Sequence, residues 1–550
     1  MIILFLFILP FVFSASTIDP ALLPRFVAWS VLNFGLLIWL SFRKKTPDFS
    51  IACRAVFPIL LCYICVSVLS LTKAVNLTEG IFECLKIFLF SASLYITSLI
   101  IYESEQSIAI VTKAMIMTGM MQAIVGLCQY YGIAFTFIPG NFAIYGTMAH
   151  KNLFASALFL TLPFVIYGMF CFSGFWKKAA VLSLTFIFAS IIFSRTKAVW
   201  GAIILAGTAV LLIALRGRKR SIITAICLIL LAFLYYYTYT VSSFASLNER
   251  ILLWKKSFLM IKENPLLGVG PGQWKIMLPK YGRIEKKLPE PDGTMSEVWF
   301  QRPHNDYIWV LSETGVPGFL CYLSVFLTMF YYIFRLLFHA ENKDKKLFFL
   351  SMLFGIAGYM VNAFFCFPRE RIVHNIFLTL IMSCILAEYH RKFKINAIKN
   401  KAVFRNQNLI LLRLLILCIV LCIIFGYARL IAEIHTQNAL EARKIGDWQR
   451  VLSETAQADS LFYNMDPAST PVAFYRGIAD FSLGRILPAL DDFKKAYQAH
   501  PYHIHVLNNL GTCYALSGDN EKAAEFYHKA LAVSPQFKEA IVNLEKIGRK

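Results

Sequence analysis

Charge is scarce in this chain. Only 16% of its 550 residues are charged, against 58% that are hydrophobic. Soluble proteins carry roughly a quarter charged residues, so this shortage excludes an ordinary soluble enzyme and requires lipid as the solvent for much of the chain. Acidic residues are the scarcer kind, 32 against 54 Lys and Arg. The net charge of +22 would suit nucleic acid, but its placement argues otherwise. The basic groups sit in short gaps between apolar runs: Arg43-Lys44-Lys45, Lys177-Lys178, Arg216 to Arg220, Lys343 to Lys346, and Arg391 to Arg405. That is the cytoplasmic bias of membrane proteins, and it points away from a nucleic-acid partner.

Several chemistries lack their signatures. Of thirteen cysteines, all but Cys513 fall in or beside apolar runs, where they read as small packing residues. Cys62-x-x-Cys65 has redox spacing but lies mid-run, without helix–sheet context. His150, His304 and His374 show no metal-ligand spacing, so no metal is expected. There is no Walker loop, serine elbow or kinase set. The stretch Asn264-Pro265-Leu266-Leu267-Gly268-Val269-Gly270-Pro271-Gly272 contains G-x-G, but a dinucleotide site needs a strand before it and a helix after it. A tight turn with bare backbone in close packing is the better reading, and no cofactor is expected.

What the chain has is apolar runs of membrane-crossing length. Backbone amides in lipid must bond within their own segment, so the runs are read as helices. They lie near 2–16, 25–42, 51–72, 80–102, 107–130, 153–173, 179–194, 197–215, 221–241, 307–338, 347–367, 373–390 and 409–432. Residues 2–16 are the weakest run. Pro10 interrupts them and Ser14-Ala15-Ser16 follows, as in a cleaved signal, but no Lys or Arg precedes them. The fold class is therefore all-α and polytopic, with 12–13 spans. Counting basic residues places 131–152, 241–306 and 368–372 on the outer side, together with everything after the last span.

From residue 434 continuous hydrophobicity gives way to helical periodicity with a 34-residue repeat. Gly477 pairs with Gly511, Gly484 with Gly518, Ala489 with Ala523, Phe493 with Tyr527, Ala496 with Ala530, and Pro501 with Pro535. That is the tetratricopeptide pattern of an α-solenoid. Residues 436–469 read as a degenerate first repeat and 538–550 as a capping helix. The domains expected are thus 1–433 in the membrane and 434–550 as an outward repeat domain.

The long outer loop ends in His304-Asn305-Asp306-Tyr307. An imidazole near neutrality suits activation of a hydroxyl nucleophile, although a polar cap on the following helix is the blander alternative. Asp306 and Glu313 are seven apart on that helix and could share a face, as alternative bases or to orient His304. Arg195 and Arg250 run against the outward charge bias, which suggests an anionic partner such as a lipid diphosphate. Snorkelling to headgroups is the competing reading. Arg369, Arg371 and His374 form a second outward basic group, and His150-Lys151-Asn152 a third.

Together these fragments resemble the O-antigen ligase and polymerase family. The resemblance runs in order through Gly146-Thr147…His150-Lys151-Asn152, Ser194-Arg195, Arg250…Trp254, Asn264 to Gly272, and His304-Asn305-Asp306-Tyr307…Glu313-Thr314-Gly315-Val316-Pro317-Gly318. It covers residues 80–390 well and the first spans by hydropathy only. It implies a GT-C-like, metal-independent glycosyltransferase of the bacterial inner membrane. Such an enzyme moves a glycan from undecaprenyl diphosphate to an acceptor hydroxyl on the periplasmic side, as in lipopolysaccharide or other surface-polysaccharide biosynthesis. By motif, it implies that His304 is the base and that Arg195 and Arg250 hold the diphosphate. His150, Lys151, Asn305, Asp306, Glu313, Arg369 and Arg371 support the site. Thr196 stands where the family commonly has Gly. The acceptor could be lipid A–core, a growing glycan or a protein, and the repeats suggest a protein partner. A non-catalytic membrane scaffold is the alternative of another class.

Overall fold

In the computed structural model, residues 8–42, 49–140, 142–215, 217–241, 245–284, 287–289, 295–297, 300–393 and 401–548 are described. The first nine helices are α1 Leu22–Ser41, α2 Val56–Ser70, α3 Leu77–Glu103, α4 Gln106–Tyr130, α5 Lys151–Cys171, α6 Gly174–Ser194, α7 Lys197–Ala214, α8 Arg218–Val241 and α9 Ala245–Glu263. A one-turn α10 Trp274–Met277 and a ribbon of β1 Lys287–Pro289 and β2 Met295–Glu297 follow, the strands antiparallel with Leu288 opposite Ser296. Then come α11 Asp306–Phe338, α12 Lys343–Phe365, α13 Ile372–Lys392 and α14 Lys401–Lys444. The tail continues with α15 Trp448–Ala458, α16 Val472–Ser482, α17 Ile486–Ala499, α18 Ile504–Leu516, α19 Asn520–Val533 and α20 Lys538–Gly548.

Among the described residues, eleven helices are long and apolar enough to cross a membrane. Helix α8 coincides with the further run expected at 221–241. The expected span at 2–16 lies partly outside the described residues, which begin at residue 8, and Leu9–Phe11 form only a 3-10 turn. Pro10 has no N–H to continue a helix. Its carbonyl is taken instead by the Arg25 guanidinium at 2.8 Å and the Thr147 hydroxyl at 2.5 Å, which tie the segment to the end of the bundle.

That end of the bundle gathers one set of connections. Arg371 reaches Asp19, Asn76 bonds Gln273, Thr196 bonds Asn152, and Tyr307 reaches the Met360 carbonyl. At the opposite end Lys392 pairs with Glu341, and Arg391 with Glu388 and the carbonyls of α3. Arg391 and Lys392 thus lie at the end away from the long loop. Arg43-Lys44-Lys45, Arg216 and 394–400 lie outside the described residues. Helix α13 is buried along its whole length at the centre, whereas α7 is peripheral.

Helix α11 is too long for one crossing: its 33 residues would extend about 50 Å against a hydrocarbon core of about 30 Å. Gly315 breaks it, at φ 65° and ψ −171°. The first turns, from Asp306, form a separate segment, and the part after Gly315 is long enough to span. The glycine-dense loop packs backbone to backbone on this break. Val269 N–H donates to the Ser312 carbonyl, Gly270 N–H to the Glu313 carbonyl, and Val316 N–H to the Pro265 carbonyl. A Cβ at Gly268 would lie 2.3 Å from the Glu313 backbone, and one at Gly315 2.3 Å from the Leu266 carbonyl oxygen. These glycines are spent on close approach, in line with the turn reading.

The tail's repeat has the same cause in both copies. A Cβ at Gly477 would meet the Phe493 ring at 2.8 Å, and one at Gly511 the Tyr527 ring at 2.6 Å. Ala489, Ala496, Ala523 and Ala530 are fully buried where the paired helices touch. Gly511→Val is therefore expected to destabilise the tail by about 1–3 kcal/mol through overpacking. The check is earlier proteolytic release of the tail from the full-length protein. Helix α14 runs unbroken through residue 434, so the last span and the tail share one helix.

Candidate active site

His304 sits where the chain turns to enter α11, and its backbone is left-handed, with φ 56°. Such a conformation costs a non-glycine residue of order 1 kcal/mol and persists only where neighbours enforce it. Here both flanking residues are pinned. The Trp254 indole N–H on α9 donates to the Pro303 carbonyl at 2.8 Å. The Asn305 side-chain oxygen caps α11, accepting from Ile308 N–H at 3.0 Å. The imidazole packs edge-on against Phe367, with centroids 5.1 Å apart.

Burial holds the His304 imidazole neutral, pushing it down to about 3, with Arg250, Arg302 and His150 acting in the same direction and Glu370 opposing. His150 behaves alike, lowered to about 4 by burial and then by Arg371, Lys151, Arg302 and Arg250. It caps α5 by accepting from Asn152 N–H at 3.1 Å, and Lys151 lies over the Phe142 ring. Lys197, at the start of α7, is electrostatically coupled to Arg250 and Lys151. Burial lowers the Arg250 guanidinium as well, although arginine stays charged. Segments distant in sequence thus set Arg250 and Arg302 against one neutral imidazole, with Lys151 and Lys197 beside His150 and Arg250. Helix α9 sorts its residues by face: Arg250 and Trp254 toward this site, Leu253, Ser257 and Met260 into the core, and Leu252, Phe258 and Leu259 outward.

The arginines divide into two kinds. Arg302 grips Glu370 with two nitrogens, one at 2.9 Å. Arg371 pairs with Asp19 at 2.6 Å and lies 3.8 Å from Glu370. These cations hold the Glu370 carboxyl well below its usual range, against burial. Arg369 is half-buried beside Glu313 at 3.6 Å, bonds the Tyr63 hydroxyl at 3.3 Å, and stacks on Trp309. Its backbone N–H donates to Asp306 at 3.0 Å. Asp306 and Glu313 do share a face, and that face meets Arg369. Arg250, by contrast, is engaged by no ion pair within 4 Å among the described residues.

Of the residues singled out from sequence, the structure gathers His304, Arg250, His150 and Lys151. It places Asp306, Glu313, Arg369 and Arg371 in the adjoining ion-pair layer, and Asn305 at the cap. Arg195 is exposed at the left-handed C-cap of α6, and Lys197, two residues on, carries the coupling to Arg250. Sequence reasoning missed Lys197, Arg302 and Glu370. The available signal was adjacency: each stands within two residues of a residue already chosen.

Fold and site together define a polytopic membrane protein with a helical-repeat tail on the end of the bundle that holds a histidine flanked by arginines. Against protein-family models, residues 179–323 match O-Antigen ligase and residues 505–537 match Tetratricopeptide repeat. The first match takes in Arg195, Lys197, Arg250, the glycine loop, Arg302, His304 and Glu313, and stops short of Arg369 and Arg371. Both matches agree with the resemblance read from the motifs, and they support a membrane enzyme of O-antigen ligase or polymerase type. A search of curated proteins finds no match.

Proposed function

We propose that this protein transfers a glycan from undecaprenyl diphosphate to an acceptor hydroxyl at the periplasmic face of the bacterial inner membrane. The observation that carries the reading is a neutral His304 held in a left-handed turn, with Arg250 and Arg302 acting on it and Lys151 and Lys197 acting on its neighbours His150 and Arg250. His304 takes the proton of the acceptor hydroxyl as its oxygen bonds the anomeric carbon. The anomeric C–O bond to the diphosphate breaks, and undecaprenyl diphosphate leaves with the electron pair. Cations placed where that charge builds stabilise the transition state more than the ground state. An arriving diphosphate also offsets the positive field on His304, raising its proton affinity when a base is needed. A polymerase would use the same step with a growing glycan as acceptor.

The test is reconstitution of the full-length protein in liposomes with an undecaprenyl-diphosphate-linked glycan. Release of undecaprenyl diphosphate should keep step with glycan transfer. Arg250→Gln is expected to lower kcat/KM for the donor by roughly 10–100-fold, with Arg250→Lys restoring part of it. Unchanged donor kinetics in Arg250→Gln would remove the diphosphate from this site. In cells, a deletion strain names the acceptor by losing lipopolysaccharide ladders, long surface chains or glycoproteins.

A further inference from the structure

The tail does more than sit on the bundle. Later connections in it are short: 483–485, 500–503, 517–519 and 534–537. Between α15 and α16, however, residues 459–471 intervene and turn back to the membrane part. The Leu461 carbonyl accepts from the Thr78 hydroxyl at 3.2 Å, the Phe462 carbonyl from Arg429 at 3.0 Å, and the Asn464 side-chain oxygen from Asn76 at 3.0 Å. Within the loop, Asp466 accepts from Thr470 N–H at 2.8 Å and from the Tyr475 hydroxyl at 2.6 Å. The loop is thus clamped at both ends.

Beneath it lies a pocket. Glu79, Trp309 and Glu370 line it from the membrane part, and Glu433, Tyr463 and Asp466 from α14 and the loop. The transfer step described above uses none of these groups. Yet the pocket adjoins that step, because Arg302 lines its wall, grips Glu370 and is among the charges acting on His304.

The lining selects a chemistry. Glu79 is held by Arg429 at 2.6 Å and Lys275 at 2.7 Å, and Glu370 by Arg302 and Arg371, so each carboxylate is fixed while its remaining lone pairs can accept further bonds. The Arg429 Nε–H is buried without a hydrogen-bond partner. Aromatic rings stand among these donors and acceptors. An anion would meet the carboxylates. A peptide strand would need an open groove, whereas the tail loop covers this pocket. Mixed acceptors, donors and ring faces suit a polyhydroxylated ring, with its O–H groups and C–H faces.

Resting on the transfer reading above, we propose that this pocket takes the glycan end of the acceptor and that the tail loop 459–471 governs which glycan fits. The tail thereby contributes residues to substrate selection.

The test uses the full-length protein in nanodiscs with the undecaprenyl-diphosphate-linked glycan as donor. Three acceptors are offered separately: lipid A–core, a short glycan on undecaprenyl diphosphate, and a Ser/Thr peptide. Pro467→Trp fills the pocket from the loop and Leu22→Trp from the membrane side, so one poorly folded variant does not decide the matter. Each should raise KM for a glycan acceptor about tenfold or more while donor KM stays within about twofold. Leu487→Trp, on the exposed tail surface, should change neither. Unchanged acceptor KM in both pocket variants, equal effects on donor and acceptor, or transfer to the peptide alone would overturn the assignment. If the unaltered protein neither transfers glycan nor releases undecaprenyl diphosphate, the glycosyltransferase reading falls first, and the pocket's role with it.

Discussion

His304→Ala should lower glycan transfer by about 10²–10⁴-fold, the usual contribution of a positioned general base, while the protein inserts and folds as before. The pH profile makes the expectation specific. An ordinary histidine loses its basic form as pH falls through about 6.5, which would put an acid limb there. His304 is lowered to about 3 in the free protein, so it stays neutral, and competent as a base, throughout the physiological range. The acid limb of kcat/KM, which reports the free enzyme, should therefore lie far below pH 6 wherever His304 controls it. Bound diphosphate adds negative charge beside the ring and raises its pKa, so the limb in kcat should lie at higher pH than the limb in kcat/KM. Full transfer by His304→Ala would end its assignment as the base. Coincident limbs near pH 6.5 would show that the imidazole is solvated and that the cation field does not act on it.

Much of this was legible beforehand because it depends on local pattern. Lipid forces continuous apolar helices, so most runs appear as helices within a few residues of their expected ends. The 34-residue period was readable because Gly477 and Gly511 each meet one ring at one helix crossing. His304 and Arg250 stood out by motif and by charge of the unexpected sign. What was hidden depends on which distant charges meet. Arg371 looked like an outward cation, but its partner is Asp19, far earlier in the chain and just after the run taken for a first span. Arg302 carried no motif, and only its contact with Glu370 reveals it. The loop at 459–471, whose first part falls at the end of the segment 436–469 read as a degenerate repeat, could not be told from sequence, because its contacts to Asn76 and Thr78 leave no mark on periodicity.

Arg369 shows why such pairings change a functional reading. Its position among outward basic residues suggested contact with a ligand, whereas the structure tucks it, half-buried, between Glu313, Tyr63, Asp306 and Trp309. Removing one partner of a buried ion pair strands the other, which costs about 3–5 kcal/mol. In Arg369→Met, Glu313 would keep the Trp274 N–H at 3.2 Å but lose its cation. The Glu313 backbone carbonyl also accepts from Gly270 N–H, so a displaced Glu313 would pull on the glycine loop. Arg369→Met should therefore lower Tm in detergent sharply, whereas Arg250→Met, which leaves no paired carboxylate behind, should lower it little. Adding Glu313→Gln to Arg369→Met should recover part of the loss, because the double variant no longer buries an unpaired charge. The ligand reading predicts the opposite pattern, with Tm unchanged in Arg369→Met and donor KM raised. The cycle of four proteins, scored for both Tm and donor KM, separates a cation that holds the site together from one that holds the substrate.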